Sequence, residues 1–334
     1  MSQLAPAPAR SRLEAGLLAA AFALAHTQSP LPYSNQNQYL LHGAALAGHG
    51  HLANDWLAAT ADPTPLFSLL VAGAYSADPW LLQPAYFLLL MAYFLGVRGV
   101  VSALPWFPNT RAARVGFAAL FTAAHAAILR WLSVQGVGVD YPWYFQAGLA
   151  AQYLLGPGIQ PSAFGVLLVW AIACFAGGRP ACACALAAGA CWFHSTYLLP
   201  AGLLAGGFVV AGLRSRPARG AAWPVLASVL LFLPPVVHAA SFQQGDTEEA
   251  YRILADVRIP HHCHPARWFD LVAGLQVAWI GLGIWLLRRA PLGIALGLAA
   301  AGGAILTGAQ VLTGSKLLAL AFPWRISVLL VPLA

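Results

Sequence analysis

Long apolar runs separated by short polar segments make up most of the chain. A helix needs roughly 20 apolar residues to cross the bilayer core. The pattern therefore predicts an all-α fold: a polytopic transmembrane helix bundle of about 10 spans, roughly 9 to 12, with amphipathic extracytoplasmic helices. We expect one domain over 1–334, with spans near 13–28, 80–97, 113–133, 161–178, 181–198, 200–213, 222–240, 269–287, 291–310 and 317–334.

Three of the apolar runs allow other interpretations. The first run is short and ends in Ala23-Leu24-Ala25, so it fits either a membrane span or a cleaved signal peptide. The run at 66–76 is too short to cross and is expected to dip into the membrane or lie on it. The last run stops at Ala334 without a polar tail, so we expect the sequence to continue beyond it.

The arginines orient the predicted bundle. Arg10 and Arg12 precede the first run, which indicates a cytoplasmic N-terminus because basic residues concentrate in cytoplasmic loops. The alternation of spans then places eleven of the 17 basic residues at cytoplasmic ends: Arg10, Arg12, Arg98, Arg111, Arg114, Arg179, Arg214, Arg216, Arg219, Arg288 and Arg289.

Composition supports a membrane protein and excludes a nucleic-acid binder. Only 8% of the residues are charged, 60% are hydrophobic, and the mean hydropathy is +0.71. A typical soluble domain carries about 25% charged residues. The net charge of +7 comes from arginines scattered at the ends of apolar runs, not from a basic stripe, so no nucleic-acid partner is expected.

Three long polar segments fall on the predicted outer face: 29–79, 134–160 and 241–268. They hold eight of the ten acidic residues, whereas the cytoplasmic loops are short and basic. Any chemistry is therefore expected on the extracytoplasmic side.

The first of these segments begins with an amide-rich stretch, YSNQNQYLLHG. Asn35, Gln38, His42 and His49 follow a three–four spacing that places them on one face of a helix. We expect an amphipathic helix at the membrane interface. Its polar face either meets water or lines a cavity that binds a polar ligand.

Three carboxylates in the outer segments are candidates for chemistry. Asp55 either caps the short helix that follows it or acts as a general base. Asp62, in Asp62-Pro63, marks a turn and is a second candidate. Asp140 lies in the second segment.

The third segment contains the run Arg258-Ile-Pro-His261-His262-Cys-His-Pro. Neighbouring residues of an extended chain point to opposite faces, and the spacing is not that of a zinc site. We therefore assign no metal, and the cofactor stays unknown, with a divalent metal as the alternative. Arg252 and Arg258 either meet lipid head groups or hold a phosphate through paired hydrogen bonds.

Ionisable residues also lie within apolar runs. His125, His194 and Arg325 are costly at that depth and are functional candidates unless each has a structural partner.

The order of motifs near the N-terminus resembles the start of the GT-C glycosyltransferases. The matching residues are Asn35, Gln36, Tyr39, Gly48 and Asp55-Trp56. More narrowly, YSNQNQYLLHG, the stretch through NDWLAATADPTPLF and the loop RIPHH resemble a family of bacterial polytopic membrane proteins of unknown activity. Elsewhere only the helical layout is similar.

This resemblance implies a bacterial inner-membrane protein that handles a polyprenyl-phosphate-linked sugar on the outer face. It implies Asp55 or Asp62 as base and Arg252 and Arg258 on the donor phosphate. Asn35, Gln38 and His42 would then bind sugar hydroxyls. The remaining candidates for substrate binding are Gln36, Tyr39, Asp140, His194, His261, His262 and Arg325. One departure matters: the family usually has a carboxylate where this chain has Asn35-Gln36.

Three other functions remain open from the sequence. A transporter or flippase would use Arg325, His194 and His125 inside the membrane. A polysaccharide polymerase of the same membrane would use the His194-Ser195 pair. A non-catalytic membrane protein would use none of them.

Overall fold

A computed structural model describes residues 9–26, 32, 35–108, 110–215, 222–242 and 247–334. Among these residues the regular secondary structure is helical, apart from one isolated β-bridge between Ala147 and Tyr153. The α-helices are α1 (Ala9–Ala25), α2 (Gln36–Tyr39), α3 (Leu41–Leu46), α4 (Pro65–Ala77), α5 (Leu82–Ser102), α6 (Arg111–His125), α7 (Ala127–Val137), α8 (Trp143–Gln146), α9 (Val166–Ala176), α10 (Pro180–Phe193), α11 (Leu198–Ser215), α12 (Ala222–Leu230), α13 (Leu233–Ala240), α14 (Thr247–Arg252), α15 (Pro260–Cys263), α16 (Pro265–Trp268), α17 (Leu271–Leu286), α18 (Pro291–Thr313), α19 (Lys316–Leu320) and α20 (Ser327–Leu333).

Several of the described helices are long and apolar enough to cross a membrane, so the chain is a helical membrane protein. Four qualify singly: Pro79–Ser102, Ser195–Arg214, Pro291–Thr313 and Lys316–Leu333. A fifth span results if α6 and α7, which meet at a 53° bend, are counted together. Other predicted spans form apolar helices of 10–17 residues. Ten spans and a GT-C layout therefore remain predictions.

The core is built from aromatic rings and small residues. Phe22 of α1 lies within 5.6 Å of Phe94 on α5 and 5.5 Å of Phe121 on α6, measured between ring centroids. On the other side of the bundle α11 crosses α18, where Gly207 lies so near that a Cβ there would come within 2.4 Å of the Ala295 carbonyl. Small residues let membrane helices approach closely and gain dispersion contacts.

Three of the arginines that were expected on the cytoplasmic side, Arg98, Arg111 and Arg114, lie around one glutamate. Glu14 on α1 pairs with Arg111 at 3.3 Å and with Arg114 at 3.2 Å, both on α6. Arg98 on α5 lies close enough to Glu14 and Arg114 to interact electrostatically with both. Which side of the membrane these residues face is still a prediction, and Arg216 and Arg219 fall outside the described residues.

Parts of the three predicted outer segments are in contact with each other. The Gln36 amide donates to the Ile159 carbonyl at 2.7 Å, which joins the first segment to the second. The His262 ring lies 2.9 Å from the Ala150 carbonyl, which joins the third segment to the second. Asp246 of the third segment lies outside the described residues.

The second segment continues as a buried stretch of irregular backbone, 147–160, called here the central segment. Most of its residues are buried although it forms almost no regular structure. Irregular backbone at membrane depth is tolerated only where protein groups or a water-filled cavity satisfy its hydrogen bonds. Side chains from distant helices do so here: Gln276 donates to Ala147, Ser327 accepts from Leu149, His262 pairs with Ala150, Tyr86 donates to Gly156 and Gln36 donates to Ile159.

Candidate functional site

The amide-rich stretch points part of its predicted polar face outward. Asn35 and Gln38 are exposed, and His42 is half-buried with a ring nitrogen 3.2 Å from the Thr60 carbonyl. The opposite face of α2 carries Gln36 and Tyr39 into the protein, because residues three apart share a helix face. The stripe is thus divided: Asn35 and Gln38 are exposed, whereas His42 and Ala45 border a small cleft.

Tyr39 leads into a group of polar and aromatic side chains around Arg325. Its ring lies 6.2 Å from that of His194, and His194 lies 5.4 Å from Tyr197. The guanidinium carbon of Arg325 is 5.5 Å from the Tyr197 ring centre. We call this group the Arg325 cluster: Tyr39, Tyr153, His194, Thr196, Tyr197, His262 and Arg325.

A break in the last apolar run places Arg325. Phe322 adopts a left-handed conformation at φ 50°, which stops α19, and Pro323 starts a short turn that ends at Ile326. The turn packs against α18 at Gly303, where a Cβ would come within 2.9 Å of the Pro323 carbonyl. The broken helix therefore carries Arg325 inward to face α11.

Arg325 is only partly satisfied in this position. One terminal nitrogen donates to the Thr196 hydroxyl at 2.6 Å, but the buried Nε has no partner. Within the described part of the chain no carboxylate forms an ion pair with it. Removing a charge from water without a counter-charge costs several kcal/mol, so this position favours an anion.

The cluster keeps access to solvent despite its depth. Arg325, Tyr39, Tyr153, Thr196 and His262 are each half-buried rather than fully enclosed. The edge of the cluster is therefore partly open to its surroundings, whereas His194 and Tyr197 are buried. Burial raises the pKa of Tyr39, with Arg325 opposing the rise, so its hydroxyl stays protonated and is able to donate a hydrogen bond.

His194 is the candidate base of the cluster. It is buried at the junction of α10 and the turn Ser195–Tyr197, and its Nδ1 has no hydrogen-bond partner. Burial of the ring, and after it the positive charge of Arg325, disfavour a positive charge on His194. A neutral imidazole offers one nitrogen that accepts a proton.

His262 lies near Arg325 and contacts a strained part of the backbone. Burial, with a smaller effect of His261, lowers the pKa of His262, so the ring is neutral at neutral pH. The carbonyl that it contacts belongs to Ala150, and Ala150 and Ala151 both have left-handed φ values, 58° and 52°. Such strain costs about 1–3 kcal/mol per residue and clusters at functional sites.

The candidate carboxylates all have structural roles away from this cluster. An Asp55 oxygen accepts from the Leu57 amide at 2.8 Å and caps the following turn. Asp62 accepts from the Thr64 amide at 2.8 Å, ahead of α4, and also borders a small cleft of about 350 Å³ beside His42. Asp140 pairs with Arg130 at 2.8 Å.

The two arginines expected on a donor phosphate lie at the surface. Arg252 pairs with Glu249 at 2.6 Å, and Arg258 is exposed at the end of the π-helix Ile253–Arg258. His261 is exposed and packs its ring 4.2 Å from that of His262. None of these side chains is brought to Arg325 except His262.

No group of three His, Cys, Asp or Glu side chains suited to a metal ion occurs in the residues that the structure describes. His264 instead contacts Asp256 at 2.9 Å, and Lys316 donates to the same carboxylate oxygen at 2.5 Å. A lysine thus supplies the positive charge at this carboxylate.

The sequence singled out Tyr39, His194, His262 and Arg325 separately, and the structure brings them together. Sequence patterns did not nominate Tyr153, Thr196 or Tyr197. Thr196 and Tyr197 directly follow His194 in a polar run between two apolar helices, which was a usable signal. Tyr153 lies in irregular backbone, so no helical periodicity in the sequence indicates which way its side chain points.

No protein-family model, curated protein or solved structure matches the chain. The geometry of the Arg325 cluster therefore carries the functional interpretation.

Proposed function

We propose that the protein binds the phosphate of a lipid-linked sugar at Arg325 and transfers the sugar to a hydroxyl acceptor, with His194 as general base. The observation that supports this is the buried, unpaired Nε of Arg325, a half-buried arginine that forms no ion pair with a described carboxylate. A phosphate accepts two parallel hydrogen bonds from an arginine, so it matches the free edge of this side chain.

The position of Arg325 within an apolar stretch limits the class of substrate. Arg325 lies in the turn that breaks the apolar stretch Lys316–Leu333, which is long enough to cross a membrane, so its anion would reach the site from the level of the bilayer. A lipid phosphate carries its charge beside an apolar tail and is suited to that path. Half-buried Tyr39 and Tyr153 supply hydroxyls for the sugar.

The proposed reaction is a displacement at the anomeric carbon. The acceptor oxygen attacks this carbon while its proton passes to the free nitrogen of His194. The bond between the anomeric carbon and the phosphate oxygen breaks, and its electron pair leaves with the phosphate. Arg325 stabilises the charge that develops on the leaving group.

This mechanism reassigns roles within the residues expected from the sequence. His194 replaces Asp55 as base, because the Asp55 carboxylate caps a turn. Arg325 replaces Arg252 and Arg258 as phosphate holder, because those two lie at the surface.

The test is transfer of a radiolabelled sugar from a polyprenyl-phosphate donor by the protein in lipid vesicles. Arg325→Gln is expected to lower the rate about 100- to 1000-fold, the effect of losing one charge-stabilising donor. His194→Gln is expected to lower it about 100- to 10,000-fold. Arg252→Gln is the matched control and keeps the rate, since its partner is a surface glutamate.

Asp55 separates the two assignments of the base. Asp55→Asn retains an oxygen that caps the turn, so we expect transfer to continue at nearly the full rate. Loss of transfer in Asp55→Asn together with normal transfer in His194→Gln would overturn the proposed base.

A transporter of lipid-linked or other anionic solutes is the second candidate. It is favoured by the lack of a carboxylate at the described Arg325 cluster, since sugar transfer is assisted by an anion near the positive transition state. Movement of labelled anion across vesicles that is abolished by Arg325→Gln, without any glycosidic product, would favour this function over transfer.

A further inference from the structure

A long apolar cavity lies along α11, and no residue of the Arg325 cluster lines it. Its volume is about 1570 Å³. Its walls come from α11, α12, the end of α9 and the loops that follow α5 and α17. Phe175 and Phe208 are among the lining side chains.

Glycines on α11 create the space. Gly202 and Gly206 are four residues apart and so share a helix face, and a Cβ at either would meet nothing within 4 Å. The lining on this helix extends from Leu198 to Leu213, a rise of about 22 Å. This length exceeds one leaflet of the hydrocarbon core, about 15 Å, so the cavity has room for an extended hydrocarbon chain.

The charge at one end of the cavity points to the head group. Arg289, in the turn between α17 and α18, is the sole charged residue among the described lining residues and is exposed. The neighbouring Arg288 already has partners within the protein. Its guanidinium carbon lies 4.2 Å from the Trp285 ring centre, and a guanidinium nitrogen donates to the Trp285 carbonyl at 2.8 Å. Trp106 also lines the cavity and is 62% exposed, as is typical of tryptophans at the membrane–water boundary.

We propose that this cavity binds an anionic phospholipid, with an acyl chain along Gly202 and Gly206 and the phosphate at Arg289. Basic residues between membrane helices recognise anionic head groups, and the apolar walls take the chain. The site is independent of the proposed sugar transfer.

The test measures lipid retained by the full-length protein in mild detergent, by native mass spectrometry. Equal amounts of phosphatidylglycerol and phosphatidylethanolamine with identical chains are offered. We expect preferential retention of phosphatidylglycerol, and Arg289→Gln is expected to weaken its binding about fivefold. Arg288→Gln is the matched control and leaves the preference unchanged. Equal retention of both lipids by the wild-type protein would overturn the assignment of the head group.

A second set of variants tests the position of the chain. Gly206→Phe places a ring in the cavity and is expected to abolish retention of either lipid. Gly202, Gly206 and Gly116 are all exposed glycines with open space around them, but Gly116 on α6 does not line the cavity, so Gly116→Phe is the control. Gly202→Leu fills less of the cavity than Gly206→Phe does. Elution of each variant from gel filtration checks that the protein is folded. Normal lipid retention in folded Gly202→Leu and Gly206→Phe proteins would overturn the site.

Discussion

At the residue scale, two side-chain amides of one short helix, Gln36 and Gln38, differ in burial. Gln36 is 2% exposed and donates to the central segment, whereas Gln38 is exposed. A Cβ at Gly158 would come within 2.9 Å of the Gln36 nitrogen, so the backbone there fits closely against the amide. Gln36 is therefore a structural residue that fixes the central segment.

The pair Gln36 and Gln38 gives a matched test of that role. Gln36→Leu leaves the buried Ile159 carbonyl without its donor, so we expect the free energy of unfolding to fall by about 1–3 kcal/mol. Gln38→Leu should change it by no more than about 0.5 kcal/mol. Both values come from denaturant unfolding in detergent. A smaller loss in Gln36→Leu than in Gln38→Leu would contradict the assigned role.

Residue type and position within an apolar run indicate part of the candidate site from the sequence alone. A charge or imidazole inside such a run is costly, which singled out His194 and Arg325. Their meeting could not be predicted, because it depends on a left-handed Phe322 that turns the chain between α19 and α20. The sequence allowed Asp55 to be either a helix cap or a general base, because a carboxylate suits both roles. The hydrogen bond that it accepts from the Leu57 amide at 2.8 Å favours the capping role.

At the element scale, the third outer segment holds the strained part of the central segment in place. His262 sits at the end of α15 and pairs with the Ala150 carbonyl. The neutral ring suits this site because burial first, and then His261 and Arg325, disfavour a positive charge on it. The contact is thus linked to pH.

The linkage has a defined sign. The pKa of His262 is lower in the folded protein than the usual value of 6.5, so the unfolded chain binds the proton more readily. The stabilisation is complete above pH 6.5 and is lost as the pH falls through the lowered value. We expect the thermal midpoint in detergent to drop between about pH 7.5 and pH 5.5.

His262→Gln is the variant that checks this linkage. It removes the titrating group, so the drop in midpoint between the two pH values should shrink relative to the wild-type protein. His49→Gln, which changes an exposed ring, is the control and should keep the full drop. An undiminished drop in His262→Gln would show that other groups cause it.

Helix periodicity predicted the apolar elements well and the polar ones less well. The run near 291–310 became α18, because nothing in it interrupts an apolar helix. The expected helix through Asn35 to His49 is instead two short pieces, α2 and α3, which turn Gln36 and Tyr39 inward. The central segment had no periodic pattern, since its direction is set by side chains more than 100 residues away, such as Ser327.

At the scale of the whole molecule, polar chemistry and basic charge occupy different ends of the bundle. The Tyr86 hydroxyl, near the start of α5, meets the central segment, whereas Arg98 at the other end of α5 faces Glu14 and Arg114. The 21 residues of α5 rise about 31 Å, close to the 30 Å of a bilayer core. We therefore expect the two ends of α5 to lie on opposite sides of a membrane.

Cysteine labelling determines which side each end faces. Cys182, near the start of α10, is exposed, whereas Cys174, Cys184, Cys191 and Cys263 are buried, so a membrane-impermeant maleimide should react mainly at Cys182. By the positive-inside rule the neighbouring Arg179 places it in the cytoplasm. We expect labelling in inside-out vesicles and little in intact spheroplasts.

A second protein, Cys182→Ser with Gln38→Cys, reports on the opposite end, because position 38 is exposed beside the central segment. It should label in spheroplasts and not in sealed inside-out vesicles. This reciprocal result would place the Arg325 cluster on the outer side, where lipid-linked sugars could reach it without crossing the bundle. Labelling of both positions from one side would contradict the crossing of α5 and with it the separation of the two ends. Reversed labelling would keep the crossing but place the cluster on the cytoplasmic side, which would require a cytoplasmic source of the sugar substrate.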